Sequence, residues 1–125
     1  MTSPTQTDLR DLVETVSARY SGTRLIVALA GAPGSGKSTV AQSLRDLLAA
    51  RGHSAAVLQM DGFHYDDAVL EARGLRAVKG APQTFDVDGF ASLLARVRDN
   101  SADEVATPVF DRSLEISRAG AAIIP

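Results

Sequence analysis

Gly31-Ala32-Pro33-Gly34-Ser35-Gly36-Lys37-Ser38 decides the reading of this chain. The octet completes the pattern Gly-x-x-x-x-Gly-Lys-Ser, and its flanks inform as much as its letters. Ahead of it, Leu25-Ile26-Val27-Ala28-Leu29-Ala30 is an unbroken apolar run of the kind that forms a parallel strand buried on both faces. Behind it, residues 39–48 carry Val40, Leu44, Leu47 and Leu48 at helical spacing. Strand, glycine loop and helix, in that order, turn the pattern into a phosphate-binding site.

The chemistry explains each residue type. A loop wrapped around a polyphosphate points its backbone N–H groups inward. Gly31, Gly34 and Gly36 supply the positive φ values and close approach this needs, and Ala32, Pro33 and Ser35 complete the cradle. The helix that follows adds its first N–H groups and the positive end of its dipole. Lys37 offers a point charge to the β- and γ-phosphates, Ser38 a hydroxyl to Mg²⁺, and Thr39 assistance at the α-phosphate. The cofactors expected from the loop are a nucleoside triphosphate and Mg²⁺. No Asn-Lys-x-Asp guanine-reading motif accompanies the loop.

Composition bounds the remainder. The chain has 125 residues, 45% hydrophobic and 22% charged, which suits one domain with its own core. A net charge of −2 provides no basic field for nucleic acid or anionic lipid. Cysteine is absent, which excludes disulfides, thiolate catalysis and cysteine-ligated zinc, and fits a reducing cytoplasm. The N-terminus has no apolar signal core, and the apolar runs are too short to span a bilayer. Oligomeric state stays open, with a homodimer among the options.

Periodicity supplies the other elements. Residues 1–7 read as a flexible tail. Thr7 or Asp8 caps a first helix with Leu9, Leu12, Val13 and Val16 in one stripe, ended by Ser21-Gly22. The strand over about 24–30 and a loop helix over about 37–51, stopped by Gly52, come next. A second strand spans Ala55 to Met60 and ends at Asp61. Asp66 caps a short helix to about Arg73, closed by Gly74, and residues 75–85 read as a loop. Asp86 or Asp88 opens a helix with Phe90, Leu93, Leu94 and Val97 on one face, ended by Asn100-Ser101. Val105 to Phe110, which contains Pro108, is an edge strand or loop margin, and Ala121 to Ile124 begins a further buried strand. Alternating strands and helices predict a three-layer α/β fold with a parallel sheet. Ligands of such sheets bind beyond the carboxyl ends of the strands, so Gly31 and Asp61 can meet at one site.

Met60-Asp61-Gly62-Phe63-His64-Tyr65 is the second informative stretch. A carboxylate at a strand tip can accept a hydroxyl proton and aim the oxygen at phosphorus, or stand beside Mg²⁺; it also suits a turn or helix cap. His64 fits a catalyst or a partly buried structural histidine, and Phe63 and Tyr65 fit core or substrate stacking. Asp66-Asp67 reads as a helix start before a metal pair. Arg73, Arg76 and Lys79 fit an anion clamp or solvated loop charges.

Four segments in fixed order resemble the phosphoribulokinase/uridine kinase family of P-loop kinases, which includes P-loop pantothenate kinases and nucleoside or sugar kinases. They are Gly31 to Ser38, Asp61-Gly62-Phe63, Lys79-Gly80-Ala81-Pro82-Gln83-Thr84-Phe85-Asp86, and Pro108-Val109-Phe110-Asp111. The resemblance covers about residues 24–125. It implies an ATP- and Mg²⁺-dependent kinase domain over 1–125 acting on a small-molecule hydroxyl. Lys37 and Asp61 would be catalytic. Phe63, His64, Lys79, Phe85, Asp86, Phe110, Asp111 and Arg112 would line the acceptor side, with the aspartates equally suited to capping turns. Relatives continue beyond the position of Pro125 into a metal-holding glutamate, an arginine-bearing lid and further strands. The expectation is therefore a domain cut short before the lid and last strands.

Overall fold

A computed structural model describes residues 8–31, 36–101 and 103–125. The tail expected over 1–7, and Ala32 to Ser35 of the glycine loop, lie outside them. The chain divides into two compact units, one ending at Val57 and the other running from Leu58 to Pro125.

The first unit is built on two helices. Helix α1 spans Leu9–Arg19, and Asp8 caps it through a carboxylate that accepts from the Asp11 amide at 2.8 Å. Helix α2 spans Lys37–Ala50. Val13 of α1 and Leu44 and Leu48 of α2 form a buried cluster, flanked by Leu9, Leu12, Val16 and Ala55. The predicted stripes meet only in part: Leu44 and Leu48 pack on α1, whereas Val40 and Leu47 of the same stripe stay exposed. Beyond α2, Gly52 takes φ +83°, and its amide and that of His53 bond back to Ala49 and Leu48, each at 3.0 Å. Arg51 pairs with Glu14 at 2.5 Å, and Tyr20 meets His53 edge-to-face at 5.3 Å.

The second unit opens with a 3₁₀ turn, Met60–Phe63, followed by helix α3, Asp67–Ala72. Asp66 caps α3 through a carboxylate accepting from Ala68 at 3.0 Å, and Leu70 is fully buried. Residues 75–85, expected as a plain loop, hold two 3₁₀ turns, Arg76–Val78 and Pro82–Thr84. Helix α4 spans Val87–Asp99; Asp86 caps it, and Leu93 and Val97 are buried. Asn100 ends it in the left-handed region at φ +53°. Strands β1, Val105–Asp111, and β2, Ile116–Ile124, pair antiparallel from Val105↔Ile124 to Asp111↔Ile116. The register shifts between Thr107 and Val109, where Pro108 has no N–H to give.

Two strand expectations are corrected. Neither residues 24–30 nor 55–60 form a ladder, and the single sheet among the described residues is the β1–β2 hairpin. Leu25, Val27 and Leu29 remain substantially exposed. An apolar run says only that a segment can be buried. A strand exists when a neighbour takes its N–H and C=O groups, and among the described residues only β1 and β2, joined by the turn Arg112–Glu115, find one. The segment expected to begin at Ala121 accordingly starts earlier, at Ile116, as a hairpin partner.

Leu44→Ala removes a side chain from the α1–α2 contact. Urea unfolding of the full chain should show a loss of about 2–4 kcal/mol. A loss below about 1 kcal/mol would mean that this cluster does not hold the first unit together.

Candidate functional site

The donor side begins with the end of α2. Gly36 is its N-cap, at φ +83°, where a side chain would be strained. The Lys37 ammonium donates to the Gly31 carbonyl at 3.1 Å and so spans the ends of the glycine loop. Ser38 and Thr39 occupy the exposed first turn. Helices α1, α3 and α4 each carry an acid in the first turn, namely Asp11, Asp67 and Asp88, whereas α2 carries none. Its positive end is therefore left uncompensated by its own side chains, the state suited to an anionic ligand.

The acceptor-side residues belong to the second unit, and most of them converge. Asp61 lies in the Met60–Phe63 turn, and its carboxylate takes the Arg112 guanidinium at 3.2 Å. Arg112 is 80% exposed, so this pair contributes little to stability, about 0–1 kcal/mol, and its effect is to aim the carboxylate. The Asp61 carbonyl accepts from both the His64 amide, at 3.2 Å, and His64 Nδ1, at 2.7 Å. Because a carbonyl only accepts, the His64 ring carries its proton on Nδ1. The ring lies between Phe85 and Phe110, with centroids 4.1 and 4.7 Å away.

His64 thus joins three of the four sequence segments. A backbone bridge between His64 and Phe85 continues the join, flanked by Tyr65 N–H to Thr84 C=O at 3.0 Å and Asp86 N–H to Phe63 C=O at 2.7 Å. Phe63 turns to Phe90 of α4, edge-to-face at 5.1 Å.

Gly62 explains why the aspartate is followed by glycine. It is buried, and a Cβ there would come within 2.5 Å of the Pro108 carbonyl oxygen. The obstacle is backbone, so it cannot swing aside. Asp-Gly-Phe and Pro-Val-Phe-Asp are pressed together at this point.

The remaining expected residues are tied into the frame. The Asp86 carboxylate caps α4 by accepting from Gly89 at 2.9 Å. Asp111 Oδ1 accepts from the Ser113 hydroxyl at 2.6 Å, the Ser113 amide at 3.0 Å and the Leu114 amide at 3.2 Å. The Ser113 hydroxyl first, then the Leu114 amide, hold its carboxyl below the ordinary value of 3.8. The capping alternative therefore describes both aspartates. Lys79 donates to Asp67 at 2.8 Å and to the Glu115 carbonyl at 3.1 Å, away from Asp61. Arg73 covers the Tyr65 ring, and Arg76 pairs with Asp67 and Glu71. Among the described residues no cluster of three or more acidic, histidine or cysteine side chains could hold a metal.

Sequence reasoning gave no individual role at the site to Thr84, Phe90, Pro108 or Glu115. Thr84 is fully buried; its hydroxyl donates to Ala81 and accepts from Gly80, fixing the turn before Phe85. Only Pro108 had a legible signal, as a proline in a strand.

The model of the family "Methylmalonyl Co-A mutase-associated GTPase MeaB" matches residues 2–65. Putative uridine kinase C227.14 of Schizosaccharomyces pombe is 38% identical over 97 residues, 73% of this chain and 41% of that protein. The pantothenate kinase of Yersinia enterocolitica is 36% identical over 87 residues, 68% of this chain and 27% of that protein. The crystal structure of a putative fructose transport system kinase from Silicibacter sp. TM1040 is 44% identical, with a TM-score of 0.88, covering 95% of this chain and 58% of that one. The chain belongs to the phosphoribulokinase/uridine kinase family of P-loop kinases.

The family-model match stops at residue 65, whereas an alignment of 97 residues must extend past it, into the segments that separate these kinases from other P-loop NTPases. Across the family members compared, the chain spans between about a quarter and three-fifths of their length.

Gly62→Ala tests how the P-loop kinase segments are held. The alanine form should lose at least about 2 kcal/mol in denaturant unfolding and broaden the Asp61 and His64 resonances. A variant as stable as the parent would contradict the close Gly62–Pro108 approach.

Proposed function

We propose that the chain forms the phosphate-loop and acceptor portion of an ATP- and Mg²⁺-dependent kinase. It transfers the γ-phosphate to a hydroxyl of a small molecule: a nucleoside, a pantothenate-like compound or a sugar. The arrangement proposed for it is a three-layer α/β fold with a parallel sheet. The cytoplasm is the compartment proposed.

The observation that carries the reading is the acid-free start of α2 behind Gly36, with Lys37 reaching across the loop. A terminal phosphate offers that ammonium a charged acceptor in place of the Gly31 carbonyl, and charge-assisted bonds are the stronger ones. Ser38 in the first turn is an oxygen donor of the kind Mg²⁺ takes along with phosphate oxygens and water. When bound, the ion would neutralise charge on the β- and γ-oxygens.

On the acceptor side, Asp61 takes the hydroxyl proton while the hydroxyl oxygen bonds to the γ-phosphorus and the bond from γ-phosphorus to the ADP oxygen breaks. Arg112 and the His64 bond to its carbonyl hold Asp61 for that step. Phe63, His64, Phe85 and Phe110 supply the aromatic wall, and Asp86 and Asp111 fix its edges. Catalysis of this kind is mainly positioning and charge neutralisation.

The match of residues 2–65 to a GTPase model favours a second reading, a nucleotide-driven switch coupled to a partner. The absence of Asn-Lys-x-Asp argues against guanine selection. Competition between ATP and GTP for the loop separates the two.

Lys37→Ala should weaken Mg·ATP binding about 10- to 100-fold by calorimetry, matching the loss of about 1.5–3 kcal/mol of charge-assisted bonding. Asp61→Asn should lower acceptor-dependent ADP release by about 10²- to 10⁴-fold and leave Mg·ATP affinity within about twofold. Unchanged nucleotide affinity in the first variant would sink the donor assignment, and undiminished turnover in the second would sink the acceptor assignment.

A further inference from the structure

The side chain of Lys79 is only 18% exposed, and its ammonium is engaged by Asp67 and Glu115 inside the second unit. It donates to Asp67 Oδ1 at 2.8 Å and to the Glu115 main-chain oxygen at 3.1 Å, and pairs with Glu115 Oε2 at 3.3 Å. Its Nζ also lies 5.2 Å from the centroid of the Phe110 ring. Of the three protons of the ammonium, two are given to Asp67 and to the Glu115 carbonyl. Burial works against the charge, but the bonds to Asp67 and Glu115 outweigh it and hold the lysine pKa above its ordinary value.

What Lys79 holds is the turn between β1 and β2. Glu115 closes that turn at φ +56°, a left-handed conformation that a non-glycine residue keeps only when its surroundings impose it. Lys79 grips both its carbonyl and its carboxylate. The other end of the turn is closed by Asp111, which accepts from Ser113 and Leu114. Arg112 lies between these two anchors and places its guanidinium on Asp61 at 3.2 Å.

We propose that Lys79 is a positioning residue: it clamps the turn Arg112–Glu115 to α3, and the clamped turn sets Arg112 against Asp61. This rests on the reading of Asp61 as the carboxylate that aims the acceptor. It replaces the expectation that Lys79 grips an anionic acceptor, since its ammonium is already held by two carboxylates and a carbonyl. A loosened turn lets the exposed Arg112 wander and leaves Asp61 without its orienting partner, while the nucleotide loop is untouched.

The test uses the full chain and the variants Lys79→Met, Lys79→Arg, Arg112→Ala and Lys79→Met with Arg112→Ala. Amide hydrogen exchange at Ser113 and Leu114 reports the turn without any substrate. Lys79→Met should speed it at least about fivefold, Lys79→Arg should restore part of the protection, and α4 should be unaffected. Unchanged exchange at the turn overturns the proposal. Should Lys79→Met fail to fold, Glu115→Gln keeps the backbone bond and should show a smaller effect in the same direction; no effect there also overturns it.

Acceptor-dependent ADP release with uridine, pantothenate and fructose gives the second readout. Lys79→Met should lower kcat about 10-fold with the KM for ATP unchanged, and the loss should vanish in the Arg112→Ala background. A loss confined to the acceptor KM, and equally large without Arg112, would make Lys79 a direct ligand and overturn the proposal. Absence of release from every acceptor would count against the kinase reading, and the exchange result would still decide the role of Lys79.

Discussion

The approach of Gly62 to Pro108 is the constraint on which the second unit's site depends. With a hydrogen in place of a side chain, the turn carrying Asp61 can lie against strand β1, so close that a Cβ at position 62 would stand 2.5 Å from the Pro108 carbonyl oxygen. That closeness lets Arg112, just beyond the end of β1, reach the Asp61 carboxylate, and lets Phe110 close over His64. Pro108 contributes twice. It interrupts the ladder, which bends the strand at the contact, and its carbonyl is the surface that excludes a side chain at position 62.

Around that contact the polar groups are arranged so that few are left without work. His64 delivers its Nδ1 proton to the backbone of the residue it supports, and its ring is gripped by two phenylalanines from different segments. Thr84 gives its hydroxyl to the turn that presents Phe85. Buried polar groups of this kind are costly when unpaired and specifying when paired. The frame around Asp61 is tied by hydrogen bonds and a backbone bridge, whereas the Arg112 side of the Arg112–Asp61 pair is exposed. In the proposed reaction, a hydroxyl arriving at Asp61 would compete with a weakly held ion pair.

Local signals were legible in the sequence, and long-range ones much less so. Asp8, Asp66 and Asp86 each cap the helix expected of them, because a cap is a bond across two or three residues and needs nothing else from the fold. The stripes on α1 and α2 meet in part for a similar reason: each had one apolar face to cover. Strands were another matter. Leu25 to Ala30 and Ala55 to Met60 have the composition of buried strands, yet a ladder depends on a neighbour that composition does not name. The motif residues lie near one another in the second unit, and the structure shows what several of them hold. Phe85 and Phe110 clasp His64, Asp111 closes a turn, and Lys79 is consumed by Asp67 and Glu115, none of which spacing alone distinguishes from lining a pocket.

The account stands or falls on whether phosphate moves from Mg·ATP to a hydroxyl. The most direct measurement is ADP formation by this chain with Mg·ATP, with and without each member of a panel of nucleosides, pantothenate and hexoses. The account predicts that one acceptor class raises the rate above the acceptor-free level, and that a phosphate ester of that acceptor accumulates in step with ADP. A rate indifferent to every acceptor, with Mg·ATP still bound, would contradict it and favour a nucleotide switch or binding module.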